Sequence, residues 1–257
     1  MKFNSSPRPL SQRLFRANRH LSELFDGLFS KRLKSWSCGP LHPQGFIKMG
    51  MKVADIGGGK KPFLKSEEVQ SFGITYVGID IDPKELQLAP PGVYSRTEVI
   101  DLTSLPQNYR PDFDLIICMN TLEHVQDADA AIGALVLMLK PGGTCHLKVP
   151  CRKALFARLN RLLGEQLKRR VLHYVFPSKA GDGFPAFYDR ATPGEYSAII
   201  RAKGGQVETI SVRYWSSYFS GIFPIYLIWR TFSVFQLVFS DDYCETFGVI
   251  FRKPGLS

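Results

Sequence analysis

Cysteine is scarce and scattered: five residues in 257 (Cys38, Cys118, Cys145, Cys151 and Cys244), odd in number and with no C-x-x-C pair. That argues against a disulfide-stapled scaffold or a zinc module and fits a reducing compartment. The chain has no internal repeat and no low-complexity tract. With 44% apolar and 22% charged residues it has an ordinary globular balance, which excludes disordered, collagen-like and coiled-coil classes and leaves enough apolar mass for a large core. The first thirty residues lack an unbroken apolar stretch and a small-residue cleavage site, so no secretory signal is expected. Lys2, Arg8, Arg13, Arg16 and Arg19, with no acid up to residue 22, would also suit an organelle transit peptide. The expected location is the cytoplasm, with peripheral contact to a membrane.

Charge is abundant but uneven. The net +10 divides into +7 over residues 1–50, −4 over 51–150 and +7 over 151–257. An acidic middle between basic ends suggests a small-ligand core with a basic surface for an anionic substrate, a membrane or nucleic acid; a basic face kept for solubility is the alternative.

Leu14, Leu21, Leu24, Phe25 and Leu28 recur at helical spacing, so residues 11–34 are expected to form an amphipathic helix that packs on the domain, covers a site mouth or rests on a membrane. A Gly/Pro linker (Cys38–Gly45) separates this extension, residues 1–50, from a second region, 51–257. From Met51 short apolar runs alternate with helix-like stretches. Strands are expected at Met51–Ile56, Thr75–Ile79, Thr97–Ile100, Phe113–Cys118, Thr144–Val149, Gln206–Arg213 and Thr246–Arg252, and helices at Pro62–Ser71 and Ala128–Leu139, with a short turn after Pro83. Continuously apolar strands alternating with helices indicate an α/β fold with a doubly wound, mostly parallel seven-stranded sheet, whose ligand site lies beyond the carboxyl ends of its strands.

The first strand ends in Asp55-Ile-Gly57-Gly58-Gly59-Lys-Lys-Pro62. A Gly-rich turn lets backbone approach a ligand where any Cβ would obstruct it. The third glycine of a dinucleotide fingerprint is replaced by Pro62, which weakens a nicotinamide or flavin reading. Asp80 ends the second strand about twenty residues on, where a carboxylate can accept both ribose hydroxyls of an adenosine, and Asp101 ends the third. Each acid alone reads as well as a turn cap. Three together beside a Gly-rich turn are costly unless something polar lies between them.

Taken in order, these segments resemble the class I S-adenosylmethionine-dependent methyltransferases, especially the small-molecule branch that includes ubiquinone-type O-methyltransferases. Asp55-x-Gly57-x-Gly59 resembles the family's first motif and Asp80 its ribose-binding acid. Asp101 resembles the acid near the adenine amine, Phe113–Ile116 with Leu122-Glu123-His124 the fourth-strand motif, and Leu139–Gly143 the turn before the fifth strand. The resemblance covers 51–150 closely and the last third loosely. It implies a Rossmann-like fold, S-adenosyl-L-methionine as cofactor, and Asp55, Gly57, Gly58, Gly59, Asp80, Ile81, Asp101, Leu102 and Asn120 around it, with no metal required. Lys60 and Lys61 depart from the family pattern; they either face the cofactor's carboxylate or solvate the turn.

Methyl transfer from a sulfonium needs alignment and exclusion of water more than covalent help. A hydroxyl acceptor also needs a base, and His124, just beyond the fourth strand, is the leading candidate, with a structural helix-terminal histidine as the other reading. His173, Tyr174 and Tyr188 are weaker candidates. Met119–Leu122 lacks the Asn/Asp-Pro-Pro-aromatic element of base-amine and glutamine methylation, and no Pro-Cys pair offers a cytosine nucleophile, so a small-molecule or lipid-linked hydroxyl or carboxyl acceptor is favoured. The rivals are an RNA methyltransferase, suggested by the charge but without a visible RNA-binding module, and a catalytically silent relative serving as a membrane-associated binding protein. Eight basic residues against Glu165 in 151–180, with leucines at helical spacing, suggest a basic amphipathic insertion (about 151–185) that serves as lid or lipid contact. A second, apolar insertion (about 215–240) contains the run 218–239, with Arg230 as its only charge. It is long enough to span a bilayer, but strands of one sheet flank it, so a monotopic hairpin, a substrate wall or a dimer contact is expected instead.

Overall fold

A computed structural model describes residues 9–30, 43–106, 108–162, 184–214, 219–237 and 240–255. Seven strands form one sheet in the order β3-β2-β1-β4-β5-β7-β6. They are β1 (Lys52–Ile56), β2 (Thr75–Asp80), β3 (Arg96–Val99), β4 (Phe113–Met119), β5 (Leu139–Pro150), β6 (Gln206–Arg213) and β7 (Thr246–Arg252). The first five run parallel, and β7 pairs antiparallel with both β5 and β6. The expected α/β doubly wound sheet is therefore the observed one.

The continuous apolar strands divide between two layers as the pleat requires. Ala54, Ile56, Ile116 and Cys118 face the larger core, while Val53, Leu115 and Ile117 face a second one around Leu64, Val69 and Tyr76. The described α-helices are α1 (Pro9–Ser30), α2 (Ser66–Phe72), α3 (Pro83–Gln87), α4 (Ala128–Met138), α5 (Leu155–Leu162), α6 (Pro193–Ala202) and α7 (Phe223–Leu237). Their starts follow the side-chain chemistry of caps. The Asp82 and Asp127 carboxylates accept from the N–H groups of Lys84 and Ala130, both at 2.9 Å, and Thr192 accepts from Glu195 ahead of Pro193.

Two of the boundary shifts have a clear local reason. Residues 62–65 stay out of α2 because the Phe63 and Leu64 N–H groups donate to the Asp55 carboxylate and the Tyr76 hydroxyl, at 2.8 and 3.1 Å, and not to a helix. Leu139–Gly143 is extended and belongs to β5: Gly142 N–H donates to the Lys253 carbonyl and Lys253 N–H to that of Gly143, so the C-terminal strand claims a segment whose Pro-Gly-Gly composition reads as a turn.

The N-terminal helix α1 packs on α7 and does not cover the site mouth. Asp26 pairs with the Arg230 guanidinium at 2.8–2.9 Å and accepts from the Tyr226 hydroxyl, and the Ser22 hydroxyl meets the Ser220 carbonyl at 3.0 Å. The only charge of the apolar run is thus buried and paired. Among the described residues no helix is long and apolar enough to cross a membrane. The described part of the basic insertion forms α5; its continuation from 163 to 183, with His173 and Tyr174, lies outside the described residues.

His146 in β5 is buried between Ile117 and Ile250 in register, with the Phe46 ring edge-on at 4.2 Å and no hydrogen-bond partner for either ring nitrogen among the described residues. Burial alone pushes its imidazole down to about 4 from the ordinary 6.5. A depressed histidine leaves stability whole above the unfolded value and removes it as pH falls from 6.5 toward 4. The loss of stability between pH 7 and 4.5, measured by urea denaturation, is expected to be about 2 kcal/mol smaller in His146→Phe than in the wild type. Equal losses would contradict the assignment.

Candidate active site

A cavity of about 490 Å³ opens beyond the carboxyl ends of β1, β2 and β4. This is where strand order reverses between β1 and β4, the position at which open α/β sheets bind ligands. Ile56 ends β1 and Gly57 follows it; Ile79 and Asp80 end β2 and Ile81 follows it; Ile100, Asp101, Leu102 and Thr103 follow β3; Asn120, Thr121 and His124 follow β4. Phe184, Pro185 and Phe187, from the far end of the basic insertion, close one side.

The turn after β1 is shaped for close approach. Gly57 holds φ +70°, and a Cβ there would strike the Thr121 side chain, whose hydroxyl donates to the Ile56 carbonyl at 2.9 Å. A Cβ at Gly58 would fall 2.5 Å from the Tyr94 hydroxyl. Asn120 N–H donates to the Lys148 carbonyl at 2.8 Å, which holds Asn120 at φ +55°, a left-handed conformation that asparagine tolerates better than most residues and that recurs at functional sites.

Two carboxylates face the cavity. Asp80 is half-buried, its Oδ1 accepting from Asp82 N–H at 3.0 Å. Its carboxyl is raised above the ordinary range, first by burial and then by the charges of Glu85 and Asp82, so a ligand that donates hydrogen bonds to it is favoured. Asp101 caps the short helix Leu102–Ser104, accepting from the N–H and hydroxyl of Thr103 at 2.8 and 2.7 Å with Oδ1.

A family model of the methyltransferase domain matches residues 29–192, more than half of the chain. The chain belongs to the class I S-adenosylmethionine-dependent methyltransferases. The ubiquinone biosynthesis O-methyltransferase of Xanthomonas axonopodis pv. citri (strain 306) is 31% identical over 171 residues, 63% of this chain and 65% of that protein. The similarity thus spans just under two thirds of that relative. The protein of the same name from Xanthomonas oryzae pv. oryzae (strain PXO99A) is 28% identical over 231 residues, 81% of this chain and 88% of its own length. Among solved structures, a SAM-dependent methyltransferase from Methanosarcina mazei superposes with a TM-score of 0.52 at 18% identity, covering 82% of this chain and 96% of its own; at that identity it shows the shared fold.

Within this methyltransferase the expected site residues separate into two groups. Gly57, Asp80, Ile81, Asp101, Leu102, Asn120 and His124 line the cavity. Gly58 and Gly59 shape the turn behind it, and Asp55 is withdrawn altogether. At 2% exposure its Oδ2 accepts from Phe63 N–H at 2.8 Å, Tyr76 OH and Tyr94 OH. Burial raises its carboxyl, opposed by those three hydrogen bonds, and both tyrosine hydroxyls are pushed up in turn by burial first and by the Asp55 charge second. Asp55 is the strut of the loop and not a third acid in the cavity.

Lys60 pairs with Glu85 at 3.3 Å. Tyr188 is buried at φ +53°, its N–H donating to the Glu123 carbonyl, and it does not line the cavity. No described residue of α7 or α1 lines it either, so among the described residues the apolar insertion builds no substrate wall. The sequence reading did not anticipate Thr121, Tyr76, Tyr94 or the aromatic segment 184–187. Tyr76 carried a readable signal, as a phenol hydroxyl at the head of the apolar positions of β2.

Proposed function

We propose that this methyltransferase moves the methyl group of S-adenosylmethionine to the hydroxyl oxygen of a small or lipid-linked aromatic acceptor, working at a membrane surface when the acceptor is lipid-linked. The observation that carries the reading is one cavity lined by two chemically distinct kinds of group. Asp80 and Asp101, beside the Gly57 turn, suit a nucleoside, and His124 stands among Phe184, Pro185 and Phe187. Asp80 is placed to accept the ribose hydroxyls, the Asp101–Leu102 corner to receive the adenine, and the Gly57 backbone to pass the amino-acid portion. When bound, the cofactor supplies an electrophilic methyl group on a sulfonium. His124 takes the acceptor's proton, and the aromatic segment excludes water and aligns an apolar ring.

Relatives named ubiquinone biosynthesis O-methyltransferases support a hydroxyl acceptor on a lipophilic ring. Arg158 and Arg161, on α5 at the start of the insertion, support an anionic surface nearby, whereas Arg152 and Lys153 beside them pair with Glu195 and Asp242 at 3.5 Å. The test is transfer of radiolabelled methyl from S-adenosylmethionine to a prenylated catechol in the presence of anionic phospholipid vesicles. Labelled ether is expected, and His124→Ala should reduce the rate about 100-fold. Cofactor binding without transfer to this acceptor would contradict the reading and point to a binding protein or another acceptor class.

A further inference from the structure

Behind the cavity lies a buried acid that cofactor binding does not use. Glu123 belongs to the one-turn helix Leu122–His124 and is 6% exposed. Its Oε2 has no hydrogen-bond partner among the described residues, and neither has the hydroxyl of Tyr196, a buried residue of α6. Its own backbone N–H bonds the carboxyl, so the open side at Oε2 leaves a buried acid only partly satisfied beside a cavity, which points to a group it serves.

That group is His124. Glu123 Oε1 stands 3.9 Å from His124 Nε2. The other ring nitrogen, Nδ1, is 2.8 Å from the Pro185 carbonyl oxygen. A carbonyl only accepts, so Nδ1 carries the hydrogen and Nε2 keeps its lone pair. The segment that supplies Pro185 is itself anchored on Glu123, whose backbone carbonyl accepts from Phe187 and Tyr188 N–H at 2.8 and 3.1 Å. Phe184 closes edge-on over the imidazole with ring centroids 6.0 Å apart.

We propose that Glu123 is a positioning residue acting through His124: its carboxylate holds, across the 3.9 Å gap, the imidazolium formed when Nε2 takes the proton of the acceptor hydroxyl, while the Pro185 carbonyl fixes the ring tautomer. The proposal rests on the hydroxyl-methylation reading above. In the step, the acceptor O–H bond breaks with its proton going to Nε2, and the oxygen's electron pair makes the new O–C bond. The pair of the breaking S–C bond stays on sulfur, which becomes a neutral thioether. One positive charge therefore passes from sulfur to the imidazole, beside the carboxylate.

Burial raises the Glu123 carboxyl to about 7, while the Lys148 ammonium draws it down. Besides His124 and Lys148 of β5, the titratable groups that face it are the Cys118 thiol of β4 and the Tyr196 hydroxyl of α6, the latter also under the charges of Asp189 and Glu195. The carboxylate that the proposal needs is thus lost on acidification through neutral pH.

Two measurements on the full chain decide the matter. The Glu123 carboxyl titration, read by infrared difference spectroscopy against Glu123→Gln, is expected to shift upward in His124→Gln, because the imidazole that becomes cationic on taking a proton no longer stands beside the carboxylate. The pH profile of kcat/KM with the prenylated catechol is expected to rise through neutral pH in the wild type. In Glu123→Gln the midpoint of that rise should move, with kcat down about 10-fold to 100-fold and KM little changed, and Glu123→Asp should restore part of the wild-type profile. An unmoved Glu123 titration in His124→Gln, or a wild-type profile in Glu123→Gln, would overturn the proposal. A wild type that binds cofactor yet methylates no catechol defeats the acceptor reading instead, and the spectroscopic titration still decides whether the two side chains are coupled.

Discussion

Asp80→Ala is expected to weaken S-adenosylmethionine binding by about 100-fold while leaving the fold intact. Asp80 ends β2, lines the cavity and keeps one carboxylate oxygen engaged by Asp82 N–H, which leaves Oδ2 directed past Gly59, where a Cβ would lie 3.1 Å from it. Hydrogen bonds to a charged acceptor contribute roughly 1.5–3 kcal/mol each, and two ribose hydroxyls on one carboxylate reach the expected factor. The group is half-exposed in the free protein, so removing it costs little stability and relieves repulsion with Glu85 and Asp82. Isothermal calorimetry on wild type and variant reads the effect. Equal affinities would remove Asp80 from the site while leaving the cavity assignment open to the other residues.

The largest effect on stability is expected at Asp55. Three donors converge on its Oδ2: Phe63 N–H, Tyr76 OH and Tyr94 OH. Tyr76 in turn accepts from Leu64 N–H, so the whole 57–65 loop hangs from this one carboxylate. Asp55→Ala leaves the buried Tyr76 hydroxyl without this acceptor, at about 1–3 kcal/mol before relaxation, and takes the same acceptor from the part-buried Tyr94 hydroxyl and Phe63 N–H, which lose less. The expected loss is about 3 kcal/mol in urea unfolding, accompanied by weaker cofactor binding because the Gly57–Gly59 turn loses its support. A loss below about 1 kcal/mol would mean the strut is not what holds the loop.

These two aspartates show where the sequence was legible and where it was not. Both were readable as acids at strand ends, because continuous apolar runs locate parallel strands well; the ranges expected for β6 and β7 match the observed ones. Which acid faces the cavity was not readable. That depends on Tyr76 and Tyr94, which lie 21 and 39 residues from Asp55 in sequence and meet it only across the sheet. The same limit applies to α1. Its amphipathic spacing was plain, but its partner was set by a salt bridge to Arg230, 204 residues away, which no periodicity reports. Leu139–Gly143 failed in the opposite sense: strong local turn chemistry was overridden by pairing with Lys253. Glu123 was visible beside His124, but neither its burial nor the missing partner of its Oε2 could be read from spacing.

A crystal structure of the full chain with S-adenosylhomocysteine tests the central claim most directly. The nucleoside is expected at the tips of β1, β2 and β4, its ribose hydroxyls within hydrogen-bonding distance of the Asp80 carboxylate, its adenine against Asp101 and Leu102, and its sulfur directed toward His124. A nucleoside bound elsewhere, or one seated there with its ribose turned away from Asp80, would contradict the account.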